Sequence, residues 1–324
     1  MYSLIIGSEG QDGKILKTIL QSKRLSTLEI SRSGLRVEGS SISPFDLLNY
    51  VSVRSLLTQY PISRIYYLAA HHHSSTSLVQ AADPLIAYRE SAQVNVDGLV
   101  NFLSAIVEVS RKTRLFYASS CLIFGDHEAY SQSESTKFDP TEIYGITKAQ
   151  ATWLCRHYRH KYNVHACAGI LYNHESGYRK DHFLSSKIIK AAIRISRGSS
   201  ERLTLGSIET EIDWGYAPDY VQSFIDILDY KYADDYIVAS GNICRIREFV
   251  DEVFKLFGLE WQKYIDIDPT IIKRSAVPRV GSPDKLRSRF GTKLAITAKE
   301  LARKLVQEHI ELADGHGEYD ASDL

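Results

Sequence analysis

Tyr144 and Lys148 stand four residues apart in the run Glu142-Ile143-Tyr144-Gly145-Ile146-Thr147-Lys148. On a helix that spacing puts both side chains on one face, with the ammonium near the phenol oxygen. A tyrosine hydroxyl titrates near about 10 in water, and a neighbouring cation favours the phenolate, so the phenol can exchange a proton at neutral pH. The pair has the makings of a general acid/base. Such a pair also occurs on many solvated helix faces, so the elements around it decide which reading holds.

The chain opens on an apolar strand, Tyr2-Ser3-Leu4-Ile5-Ile6, followed by Gly7-Ser8-Glu9-Gly10-Gln11-Asp12-Gly13 and an amphipathic helical pattern over 14–22. A dinucleotide site requires strand, glycine turn and helix in this order. Gly7 permits the tight turn, Gly10 lets the backbone approach a pyrophosphate, and Gly13 lets the helix pack closely on the strand. The helix N-terminus, with Gln11 and Asp12 in the cofactor loop, supplies N–H groups and positive dipole. The second strand, Thr27-Leu28-Glu29-Ile30, runs into Ser31-Arg32-Ser33-Gly34. An acid at its end would hold the ribose hydroxyl of NAD, whereas arginine accommodates the phosphate of NADP. Arg32 points to NADP(H), with Glu29 as a competing acid if the strand ends two residues early. Ala69 follows the third strand-like run, at the cofactor-binding edge of the sheet. His71-His72-His73 comes next, and three consecutive side chains do not converge easily on one metal, so no metal site is expected. One of these histidines lines the ligand pocket, or all three are solvated; both readings stand.

Strand-like runs at 64–68, 114–118 and 164–171 alternate with helical patterns at 84–109 and 141–161, which implies a parallel sheet covered on both faces. Beyond Tyr172 the alternation breaks into Gly-, Pro- and charge-rich segments with helices near 183–196, 220–229, 247–257 and 297–311. The expected fold is α/β: a doubly wound parallel sheet of Rossmann type built from 1–172 with 214–240, and a smaller C-terminal substrate lobe built from 173–213 with 241–324. The 324 residues suffice for such a core. Their 39 basic and 39 acidic side chains cancel, so no nucleic-acid surface is expected. No stretch approaches the roughly 18 apolar residues of a membrane span, and the N-terminus enters a strand instead of a signal, so a cytoplasmic protein is expected. Cys121, Cys155, Cys167 and Cys244 lack paired metal spacing and suit reduced thiols. The acidic tail from Asp314 is expected to fray.

With the glycine turn, Arg32, Ser119-Ser120 and the Tyr144/Lys148 pair, the chain resembles the extended short-chain dehydrogenase/reductase superfamily. Within it, Gly10-Gln11-Asp12-Gly13, Leu171-Tyr172-Asn173-His174-Glu175-Ser176 and Asp213-Trp214-Gly215-Tyr216-Ala217-Pro218-Asp219-Tyr220-Val221 resemble the GDP-mannose 4,6-dehydratase family. The likeness runs from residue 1 to about 290. It implies hydride transfer at sugar C4 with Tyr144 as acid/base, Lys148 on the nicotinamide ribose and Ser120 on the reacting oxygen. It also implies that Asn173, Arg179 and Lys187 contact the sugar and diphosphate. Arg274 would contact phosphate, but the ribose-binding glutamate of that family's Arg-Pro-x-Glu is absent from Arg274-Ser275-Ala276-Val277. In the dehydratases a Ser-Thr-x-Glu run supplies the glutamate that removes the C5 proton; here Leu122 occupies that position, and an alkyl chain accepts no proton.

Ser119-Ser120-Cys121 is similar instead to the Ser-Ser-Cys of GDP-fucose synthase and, more loosely, to GDP-mannose 3,5-epimerase, where a cysteine acts beside a ketone. His182 opens a helical pattern like one that carries a histidine in GDP-fucose synthase. Cys121 and His182 would then exchange a proton on opposite faces of a sugar ring. Equally, Cys121 is a small buried residue and His182 a surface group; both readings stand. The resemblance implies a nucleotide-diphosphate sugar as substrate, with guanine as the favoured base. The short segment after Arg32 implies a homodimer, through the helices at 84–109 and 141–161, in place of a tetramer. The leading expectation is a 4-ketoreductase or epimerase, followed by a dehydratase with a modified base. A non-catalytic NADP(H) sensor is the rival of another class, but a sensor has no need of an intact Tyr/Lys/Ser set.

Overall fold

The computed structural model describes residues 1–37, 39–71, 83–126, 131–271 and 279–313. In chain order its strands are β1 (Tyr2–Ile6), β2 (Thr27–Ser31), β3 (Gly34–Val37), β4 (Ile62–Tyr67), β5 (Arg114–Ser120), β6 (Ala166–Leu171), β7 (Asn173–Glu175), β8 (Leu203–Leu205), β9 (Glu211–Tyr216), β10 (Asp235–Val238), β11 (Ile243–Arg245) and β12 (Ile265–Ile267). The helices are α1 (Gln11–Ser22), α2 (Tyr50–Gln59), α3 (Pro84–Ala92), α4 (Gly98–Val109), α5 (Ile143–Tyr162), α6 (Leu184–Ser196), α7 (Ala217–Asp229), α8 (Ile246–Leu256), α9 (Asp284–Phe290) and α10 (Ala298–Ala313).

The main sheet has seven strands in the order β10-β6-β5-β4-β1-β2-β3, all parallel except the edge strand β3, which forms a hairpin with β2. From β1 the chain builds outward to β2, then crosses back to β4 on the other side. The crevice between the carboxyl ends of β1 and β4 is where open sheets of this kind bind ligands. Strand residues alternate between two apolar faces, as a sheet buried on both sides requires. Leu4, Ile6, Ile65, Tyr67, Leu115 and Tyr117 pack with α2, α4 and α5. Ile5, Tyr66, Phe116 and Ala118 pack with α1, α7 and α9.

Two expectations about local structure change. The pattern at 84–109 forms two helices, because a widened, π-helical turn over Gln93–Asp97 separates α3 from α4. Its fully buried Asn95 donates to Ser91 Oγ and Thr147 Oγ1, each at 3.0 Å, and accepts from His71 N at 3.2 Å. Those bonds join the turn to α5 and to the loop after β4. The first helix begins at Gln11, not Lys14, with Gly10 as its N-cap. The hairpin strand β3 and the helix α2, capped by Asn49 accepting from Ser52 N, lie in a stretch with no clear periodicity.

A second core gathers Ile188 and Ile189 of α6, Phe249 and Val253 of α8, and Leu301 and Leu305 of α10 around Trp214. Two small sheets, β11-β9-β7 and β12-β8, accompany it. Asp213, fully buried on β9, accepts from Ser240 Oγ at 2.6 Å and from the backbone N–H groups of Ser240, Gly241 and Gly281 at 3.0 to 3.2 Å. One carboxylate thereby holds the crossover after β10 against the segment that leads into α9. Burial still pushes its pKa up to about 6.

Candidate active site

Gly7 follows β1 with φ +95°, a left-handed backbone that side chains resist, and a Cβ there would lie 2.7 Å from Ala69 N. A Cβ at Gly13 would lie 2.4 Å from Gly7 O, so glycine alone lets α1 seat on the loop. Gly10 differs. Only Gly7 O, at 3.3 Å, comes near its absent Cβ, and no side chain caps the first turn of α1 behind it. An open glycine face in front of uncapped helix N–H groups fits the pyrophosphate of a dinucleotide. β2 runs through Ser31, so Glu29 lies inside the strand, paired with Lys17 at 2.8 Å, and Arg32 follows as an exposed residue of the hairpin turn. The competing acid on β2 is thus engaged elsewhere.

α5 carries Tyr144 and Lys148. A Cβ at Gly145 would lie 2.5 Å from Leu122 O, so this glycine lets the start of α5 press on the short 3-10 turn Cys121–Phe124. Burial pushes the pKa of the Tyr144 phenol up and the neighbouring Cys121 adds to the shift, while Arg179 pulls the other way. Lys148 is 1% exposed; its Nζ donates to Ala118 O at 2.7 Å and sits 5.5 Å from the centroid of the Tyr144 ring. Burial lowers its ammonium to about 7, against an upward pull from Asp12. Lys148 is not among the groups that shift the phenol. The ammonium is itself destabilised by burial and directed at a backbone carbonyl, and burial of the phenol favours its protonated form. Ser120 ends β5 and its Oγ accepts from Leu122 N at 3.3 Å, while Ser119 faces the other way, 2.7 Å from Thr152 Oγ1.

Between the glycine loop and β7 lies an ion pair the sequence reading did not single out. His174 Nε2 is 3.1 Å from both carboxylate oxygens of Asp12, and its Nδ1 donates to Tyr172 O at 2.7 Å. With acceptors on both sides the ring is an imidazolium. Burial opposes both charges, yet the mutual attraction outweighs it, lowering the Asp12 carboxyl and raising His174. Gln11 adds two bonds, Nε2 to His174 O at 3.2 Å and Oε1 from Ser176 Oγ at 3.0 Å. The ring of Tyr220 stacks on His174 at 4.8 Å.

The GDP-mannose 4,6 dehydratase family model matches residues 4–305. The chain belongs to this family. GDP-mannose 4,6 dehydratase 1 of Arabidopsis thaliana is 30% identical over 96% of the chain and 90% of its own length. The GDP-mannose 4,6-dehydratase of Yersinia enterocolitica is 28% identical over 97% and 95%. Among solved structures, RMD from Pseudomonas aeruginosa in complex with NADPH superposes with a TM-score of 0.78 at 22% identity, covering 94% of the chain and 98% of that one. Thermus thermophilus UDP-glucose 4-epimerase in complex with NAD gives 0.77 at 20%, covering 96% and 99%. These likenesses make the protein a member of the nucleotide-sugar dehydratase and epimerase enzymes of the short-chain dehydrogenase/reductase superfamily, with their Rossmann-type fold.

Against the dehydratase pattern, Leu122 sits half-buried in the 3-10 turn, between Cys121 and the fully buried Ile123. Asn173 is exposed at the start of β7. Arg179 lies beside the site: its guanidinium stacks 3.7 Å from the Phe183 ring centroid, and its Nε is 3.1 Å from Glu175 Oε2, which also accepts from Ser185 Oγ at 2.5 Å. Lys187 is exposed on α6. His182 does not open that helix, which starts at Leu184 after the N-cap Phe183; it lies exposed in the preceding turn, its ring 4.4 Å from that of Phe183. Arg274, His72 and His73 lie outside the described residues. His71 pairs with Glu90 at 3.4 Å, and no metal-binding group of His, Cys, Asp or Glu occurs among the described residues.

Proposed function

We propose that this protein is an NADP(H)-dependent oxidoreductase acting at C4 of a nucleotide-diphosphate sugar, as a 4-ketoreductase, an epimerase or both. The observation that carries the reading is a proton-transfer set of Tyr144, Lys148 and Ser120 beside an apolar turn, with Leu122 where a dehydratase needs a carboxylate. Bound NADPH supplies the hydride for C4. Tyr144, held protonated by its surroundings, gives its proton to O4 as that carbon is reduced, and takes it back in the reverse direction. Ser120 donates to the same oxygen. Lys148 holds the nicotinamide ribose, where hydroxyl groups replace the carbonyl bond that it makes without ligand. Arg179, fixed by Glu175 and Phe183, faces the diphosphate, with Asn173 and Lys187 at the rim and Arg274 as a further phosphate contact. Guanine is the base supported by the family, and four cysteines that form no disulfide accord with the cytoplasm.

A 4-keto nucleotide sugar offered with NADPH is expected to be reduced at C4, read as loss of nicotinamide absorbance and a two-hydrogen gain in product mass. Incubation in heavy water without NADPH separates the two chemistries. Epimerisation by Cys121 and His182 places deuterium on a carbon beside the ketone, and Cys121→Ser slows the uptake because a hydroxyl is far less acidic than a thiol. Reduction without exchange makes the protein a plain 4-ketoreductase. Neither reduction nor exchange with any nucleotide base would refute the reading. The family's own activity supports a second reading, a 4,6-dehydratase in which another group replaces the glutamate.

The same helices support a homodimer. Leu85 and Ile86 on α3, with Ile146 and Trp153 on α5, are large apolar side chains left exposed on neighbouring helices, Trp153 at 52%. Covering such a patch with a second copy removes it from water. Light scattering is expected to give twice the chain mass, and Trp153→Glu to give the monomer without loss of fold. A monomeric parent protein would rule the dimer out.

A further inference from the structure

An acid does reach the end of β2, but it comes from the glycine loop. Glu9, exposed between Gly7 and Gly10, accepts from Ser33 Oγ through Oε1 at 2.9 Å. Ser33 Oγ is in turn 2.6 Å from Ser31 Oγ, which also accepts from Ser33 N at 3.2 Å. The carboxylate is thus anchored on the Ser31–Ser33 turn, on either side of Arg32. Hydrogen bonds from Ser33 and then Ser31 hold its carboxyl below the usual range, so it is ionised at neutral pH. In a dinucleotide fold this turn is where the adenosine ribose is read: a carboxylate accepts from a 2′-hydroxyl, and arginine accommodates a 2′-phosphate. This chain carries both groups at one turn.

Resting on the cofactor reading above, we infer that Glu9 is a specificity-determining residue of the cofactor site, accepting from the 2′-hydroxyl of NAD(H) and opposing the 2′-phosphate of NADP(H). Arg32 keeps NADP(H) favoured, and Glu9 narrows its margin. The carboxylate and a phosphate repel at close range, and both draw on the same serine hydroxyls. Glu29 takes no part, because Lys17 engages it. Lys14 and Arg36 lie near enough to favour the ionised Glu9.

The test is a titration of NADPH and NADH, followed by protein fluorescence, with the parent protein, Glu9→Gln and Ser33→Ala. Glutamine keeps an acceptor for Ser33 and so keeps the loop, while it removes the charge. Glu9→Gln is expected to raise the preference for NADPH over NADH about ten- to a hundredfold. Ser33→Ala removes the anchor but not the charge and is expected to move the preference far less. A preference in Glu9→Gln within about twofold of the parent, with both cofactors bound, would make Glu9 a loop anchor only and overturn this inference alone. A larger change in Ser33→Ala than in Glu9→Gln would likewise assign the effect to loop shape. A parent protein that binds neither cofactor overturns this inference together with the reading on which it rests.

Discussion

Tyr144→Phe is expected to leave fold and cofactor affinity unchanged and to cut turnover by roughly 10²–10⁴, the contribution of a positioned proton donor or acceptor. The phenol hydroxyl is the only atom removed, and the ring keeps its place against Lys148. Lys148→Ala is expected to behave differently, losing turnover and cofactor affinity together, because in the proposed reading its amino group holds the nicotinamide ribose on which hydride transfer depends. It also empties the space of one of the largest fully buried side chains, so its melting temperature is expected to fall. Parental turnover in Tyr144→Phe, measured on any accepted substrate, would place the chemistry elsewhere.

GDP-mannose with NADP⁺ is expected to give no 4-keto-6-deoxy product at an enzymatic rate. Elimination of water needs the C5 proton removed, and a missing general base costs roughly 10²–10⁴ in rate. Leu122 brings no acceptor to the turn, and its neighbours Ile123 and Phe124 are buried and apolar. Leu122→Glu is expected to raise whatever slow dehydration the parent shows, read by mass loss of one water. Rapid dehydration by the parent protein would mean that another group, Cys121 or a histidine, has taken over the task, and the second functional reading would become the first.

The parts of the site legible in the sequence are those whose chemistry repeats at short spacing. The glycines of the loop, the Tyr144/Lys148 interval and the run Ser119-Ser120-Cys121 each sit within a few residues, so one strand or helix fixes their relation. Apart from the stretch of β3 and α2, the alternation of strands and helices through residue 171 was legible for the same reason, because periodicity is a local property. The contacts that stayed hidden join distant segments. Asp12 and His174 are 162 residues apart, and nothing in either neighbourhood says that the two charges meet. Glu9 reaches Ser33 over 24 residues, through a hairpin that the sequence reading did not find. The upward shift of Tyr144 was hidden for a different reason: spacing brings a lysine near, but only the packed structure shows that Lys148 is itself buried.

The bonds from Gln11 and Asp12 to His174 and Ser176 have a bearing on how this family can diverge. They fix the first turn of α1 to β7, so in the proposed reading the loop under the cofactor pyrophosphate and the strand beside the sugar are tied together before either ligand arrives. Neither ligand then has to bring its half of the site into line, and a change of substrate need not disturb cofactor seating. In the proposed reading, variation is left to the turn at 177–183 that carries Arg179 and His182 and to the stretch that holds Cys121 and Leu122. A lineage could exchange one sugar chemistry for another there, by single side chains, while the hydride-transfer geometry beneath was inherited intact.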